Sequence, residues 1–167
     1  MPTAATTPTV IDGIVTQLEI SHRSIHRNVE GVTHEESLKR PDAGGNSINW
    51  IVGHIVGGRS GVLAALGAQP PVARERLAQY ARGSSGEVEN PLRFEELLEL
   101  FDRTQAPLVA ALRSVGDEKL TAKSPMRSPA GDDATFAQAL AAMTLHECYH
   151  AGQLGFARRL VGKKGAI

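Results

Sequence analysis

His146 and His150 stand four residues apart in the string Leu145-His146-Glu147-Cys148-Tyr149-His150-Ala151-Gly152-Gln153. On a helix that spacing sends both imidazoles off one face, one turn apart, where a single metal ion can bridge them. The string also satisfies H-E-x-x-H, the zinc-protease pattern in which the glutamate is the general base. A protease of that class takes a third ligand from downstream, and residues Ala151 to Ile167 contain no His, Asp, Glu or Cys. Gln153 and Phe156 occupy the spacings where the extended motif carries Gly and His, so proteolysis is not the expected chemistry. A third ligand has to come from upstream. His54 is the strongest candidate, because it sits in the apolar run Ile48 to Leu66, where a neutral imidazole is buried at a cost unless it is hydrogen-bonded or coordinated. Gly57 and Gly58 follow it on the same face and leave bare backbone beside it, with room for a metal and a ligand. With Gly53 and Gly61 they make four glycines inside one helix, each costing about 1 kcal/mol relative to alanine. Close approach of another helix or of a ligand is the usual compensation.

The neighbouring residues offer further roles. Glu147 lies one residue off the metal face, where it is a candidate general base, an outer partner of the site or a solvated carboxylate. Gln153 follows His150 by three residues and shares its stripe, as a ligand-orienting or helix-packing amide. Trp50, one turn before His54, is a candidate pocket wall or a core aromatic. His22 and His26 form a second four-residue pair, but no carboxylate or cysteine stands at a sequence spacing that completes a site, so both are expected at the surface or at a cavity rim. His34, in an acidic turn, is expected in solvent. Cys148 lies two residues from each of His146 and His150, on the opposite side of the helix, and is expected to be a packed, inert thiol.

The elements that must position these residues are helices. Ile11, Ile14, Val15, Leu18, Ile25 and Val29 recur at three- and four-residue spacing, predicting a helix from Val10 that stops near Gly31. A short turn follows, in which Thr33 to Glu36 has capping-box spacing. Asn46 or Ser47 then caps a nearly buried helix that ends at Gly67. Residues 69–91 read as a long crossover containing Pro70-Pro71, a short helix from Val72 to Tyr80 and the loop Gly83-Ser84-Ser85-Gly86. A third helix is expected from Leu92 to about Val115, with a kink at Pro107, and a fourth from Ala134 to Val161 after a loop from Gly116 to Asp133. The expected fold is all-α, a four-helix bundle with one short and two long connections. Residues 1–9 are expected to form a loose tail, and residues 10–167 a single domain.

Composition excludes several functions. Eighteen basic and eighteen acidic side chains cancel, so the electrostatic footprint of a nucleic-acid binder is missing. No apolar run approaches the roughly 20 residues of a bilayer span, and the N-terminus has neither the basic nor the apolar region of a signal peptide. The single cysteine forbids an intramolecular disulfide, and a reducing, cytoplasmic setting is the expectation.

Gly45-Asn46-Ser47-Ile48-Asn49-Trp50-Ile51-Val52-Gly53-His54, followed about ninety residues later by His146-Glu147-Cys148-Tyr149-His150-Ala151-Gly152-Gln153, resembles the DinB/YfiT-like superfamily of metal-binding four-helix bundles. The resemblance implies that His54, His146 and His150 bind one divalent metal, Zn or Ni, at one end of the bundle. It also implies a metal-dependent thiol transfer or thiol-dependent isomerisation of a small molecule, with a low-molecular-weight thiol such as bacillithiol or mycothiol as cosubstrate, and a homodimer. Three neutral imidazoles leave an ion its full charge and an open position, the pattern of a catalytic rather than a structural site. Two other activities fit the same residues: metal-dependent hydrolysis with Glu147 as base, and non-enzymatic metal or ligand sensing.

Overall fold

Thr9 opens the first helix, α1 (Val10–Val29), with a capping box: its hydroxyl accepts from the Asp12 amide, and the Asp12 carboxylate accepts from the Thr9 amide. The computed structural model describes residues 9–41, 44–84 and 88–166. Residues 1–8 of the expected tail, and Ser85 and Gly86 of the expected loop, lie outside that range. Gly31, at φ +68°, turns the chain out of α1. The Thr33/Glu36 capping box then forms as its spacing predicts and opens a single turn, α2 (His34–Ser37). Ser47 caps α3 (Ile48–Leu66), and Gly67 ends it in the left-handed region at φ +87°. A 3-10 turn, Arg74–Tyr80, stands where the short helix was expected.

The third long helix, α4 (Phe94–Arg113), runs through Pro107 and has no side-chain cap at Arg93. His34 supplies the missing acceptor: its Nδ1 takes the Phe94 amide at 3.2 Å. His34 is therefore half-buried and structural, not solvated as expected. The segment expected as loop before the last helix contains another short helix, α5 (Asp117–Thr121). A third full capping box, Thr135 with Gln138, opens α6 (Phe136–Leu160). Among the described residues there is no strand, only an isolated bridge between Lys123 and Thr135. Among the described residues, no helix is long and apolar enough to cross a membrane.

Helix α1 packs on α4 and α6, and α3 packs on the same two, so α1 and α3 occupy opposite corners of the bundle. The connection 30–47 must therefore cross the bundle end instead of making the short turn expected between neighbours. Residues 114–135 make the other diagonal crossing, from α4 to α6.

The apolar core divides into two clusters. One gathers Ile25, Ile51, Ile55, Leu97, Phe101 and Leu154; the other gathers Ile14, Leu18, Leu63, Leu108, Phe136 and Leu140. Between them lie buried polar groups from all four long helices: Ser21, Arg59, Thr104 and Glu147. This layer sits at the level of the histidines.

The glycines of α3 have separate explanations. A Cβ at Gly53 would run into the Tyr80 ring, whereas Gly57 and Gly61 face no atom within 4 Å, and Gly58 faces only the end of Met143 at 3.4 Å. Only Gly53 admits another element at close range. Tyr80 is in turn anchored by its hydroxyl, which donates to Asn49 Oδ1 and accepts from the Leu92 amide. Gly53→Ala should destabilise the fold by about 1–3 kcal/mol through overpacking. Gly61→Ala, at an open and exposed helical position, should stabilise it by about 0.5–1 kcal/mol. Paired thermal melts check both signs.

Candidate metal centre

The second turn of α3 and the middle turns of α6 bring His54, His146 and His150 together. His146 Nε2 lies 3.4 Å from His54 Nε2 and 3.1 Å from His150 Nε2. Two nitrogens each about 2.0–2.1 Å from one ion at a tetrahedral angle are about 3.3 Å apart, so the separations suit a shared cation.

The far side of each ring shows how the inner nitrogens must be protonated. His54 Nδ1 is 2.7 Å from the Tyr80 carbonyl, and His150 Nδ1 is 2.7 Å from Gln153 Oε1. Carbonyl oxygens only accept, so both Nδ1 atoms carry protons and both neutral rings turn a lone pair inward. A proton on His146 Nε2 can serve one of those lone pairs, whereas a cation serves all three rings at once. Gln153 thus orients a candidate ligand, one of the two roles its spacing suggested, and its amide also donates to the Tyr149 hydroxyl at 3.0 Å.

Electrostatics favour the same protonation states. Burial pushes the His150 pKa down to about 4, helped by the other two histidines and opposed by the Gln153 bond. Burial also lowers His54, against the Tyr80 carbonyl bond, and lowers His146 with assistance from His54 and Arg82. Neutral imidazole, the form that binds metal, therefore prevails at neutral pH. Trp50 walls the site: its ring stacks on His54 at 4.7 Å and 10°, while its indole N–H donates to Ser84 Oγ at 2.8 Å. It serves the core as well, at 5% exposure. Gly57 leaves open space on the His54 face, and Gly58 lines a small apolar cavity together with His146 and Met143.

Glu147 is neither at the cluster nor in solvent. Its Oε2 accepts from Arg59 Nε at 2.8 Å, and its Oε1 accepts from Arg59 Nη2 at 2.7 Å and from the Ser21 hydroxyl. Both residues are buried. Three donors hold the carboxylate in a buried ion pair with Arg59 and in a hydrogen bond with Ser21. Arg59 was missed by sequence reasoning, although a signal existed: it is the only charged residue in α3. Cys148 is exposed, contrary to expectation, at an open groove that Ile20 and Ser24 of α1 also line, and Leu145, Tyr149 and Phe156 of α6 are exposed as well. Burial of the thiol atoms and the Glu147 charge both raise its pKa, so it is a poor nucleophile.

A sequence profile of the DinB superfamily matches residues 17–154. The chain belongs to the DinB superfamily. Among solved structures, the DinB-type chain is similar to YfiT from Bacillus subtilis, described as a probable metal-dependent hydrolase with an unusual four-helix bundle topology. That match has a TM-score of 0.62 at 17% identity and covers 98% of this chain and 94% of the other. It shows that this DinB-superfamily protein has the YfiT-like bundle topology. No curated protein sequence matches the chain.

Proposed function

We propose that the protein is a divalent-metal-dependent hydrolase of a small molecule, with the ion held by Nε2 of His54, His146 and His150. The observation that carries the reading is the pair of inward lone pairs enforced by the Tyr80 and Gln153 carbonyls. The likeness to YfiT, itself described as a probable metal-dependent hydrolase, supports hydrolysis over thiol transfer. When bound, the ion supplies Lewis acidity at neutral pH, polarising a carbonyl or phosphoryl group and making water acidic enough to attack it.

The chain's own residues contribute position. Tyr80 and Gln153 hold two imidazoles in the ligating tautomer, and Trp50 excludes water from one side of His54. Glu147 contributes only through the buried ion pair that ties α6 to α3. The ligand set suits Zn and Ni equally, both of which accept imidazole nitrogen.

The test compares metal-stripped protein with protein reloaded with Zn or Ni, on a panel of carboxylic esters, amides and phosphoesters. Hydrolysis should appear on reloading and fall by at least about 100-fold on stripping, in line with the several kcal/mol that Lewis-acid catalysis supplies. Turnover that requires a low-molecular-weight thiol as cosubstrate would replace this reading with thiol transfer.

A further inference from the structure

We propose that His22, His26 and Asp102 form a second site for a late first-row divalent ion, separate from the three-histidine cluster. Sequence spacing concealed it, because the carboxylate comes from α4 while the histidine pair lies on α1. Asp102 Oδ1 is 2.6 Å from His26 Nε2, a hydrogen bond whose proton an ion would displace, and 3.4 Å from His22 Nε2. The three donor atoms all lie within 4.8 Å of one another. Two imidazoles and one carboxylate on a single side form a donor set that Zn, Fe, Co and Ni accept, with positions left for water. Asp102 adds the negative charge that the first cluster lacks.

The surroundings support ligation. The His22 ring stacks on Phe101 at 4.7 Å and 21°, which fixes its direction. The His26 and Asp102 side chains are 39% and 51% exposed, so an ion reaches the site directly from solvent. Burial and the Arg59 guanidinium lower the His22 pKa, while the Asp102 carboxylate raises it.

Arg59 is the one opposing feature, with Nη1 3.4 Å from His22 Nδ1. Its charge is matched by the two-pronged Glu147 contact, which weakens repulsion of a nearby cation. The two Nη1 protons also have nearer acceptors, Gln105 Oε1 at 2.8 Å and Thr104 Oγ1 at 3.3 Å, so the contact does not commit His22 to one tautomer.

The experiment is equilibrium dialysis against Zn(II) with metal analysis, in a His146→Ala background that silences the first cluster. One zinc per chain should remain, and adding either Asp102→Ala or His26→Ala should remove it. Both positions are exposed enough to truncate without harming the fold, which circular dichroism verifies, and either variant alone decides the matter. A folded His146→Ala chain that binds no zinc, or zinc retained after the added substitution, would overturn the proposal.

Discussion

Glu147→Gln should lower the stability of the protein by about 3–5 kcal/mol, the cost of leaving one member of a buried ion pair without its partner. Arg59 is 2% exposed and Glu147 6%, and they meet through two parallel hydrogen bonds between the apolar clusters. Removing the carboxylate charge strands a guanidinium that has only neutral acceptors left, Thr104 and Gln105. In a domain of this size the loss corresponds to a fall in melting temperature of roughly 10 °C. Replacing both residues together, as Arg59→Met with Glu147→Leu, should recover most of the loss, since a well-packed apolar pair removes two desolvation penalties at once. The same variants separate structure from catalysis. Below its lowered melting temperature, folded Glu147→Gln protein should keep both its metal and its hydrolytic rate, whereas a base at Glu147 requires that rate to collapse at full metal occupancy.

His146→Ala should abolish metal binding at the α3–α6 cluster, because His146 Nε2 is the atom that lies near both other ligands. Gln153→Ala should have a graded effect. It leaves all three imidazoles in place but frees His150 to adopt the other tautomer, and changes to such outer partners cost about 10–100-fold in metal affinity. The expected order of affinity is wild type, then Gln153→Ala, then His146→Ala with no cluster binding. Competition titration against a chromophoric chelator measures the series. Equal affinity in Gln153→Ala and wild type would show that the glutamine does not hold the tautomer.

The long helices and the histidine pair were legible because both are local signals. Periodicity places the buried stripe of α1, and a four-residue spacing places two imidazoles on one face of α6. His54 was legible for a different reason: a lone imidazole in an apolar helix demands a partner. The polar layer was not legible in the same way, since Arg59 and Glu147 lie 88 residues apart and neither has a helical neighbour that announces the other. Asp102 was hidden likewise, as no within-helix spacing points from α1 to α4. Of the α3 glycines read as needing a reason, Gly53 has one in a close approach, that of the Tyr80 ring, and Tyr80 in turn presents the carbonyl that orients His54. That link runs from a packing contact to a ligand tautomer, and it depends on a connection whose path the periodicity of the helices does not specify.

Anomalous diffraction from crystals soaked in zinc decides whether the three imidazoles hold an ion, because it locates each one. A peak is expected between α3 and α6 at about 2.0–2.1 Å from Nε2 of His54, His146 and His150, with Glu147 still paired to Arg59. No peak at those three nitrogens, or an ion ligated there by the Glu147 carboxylate, would contradict the three-histidine site.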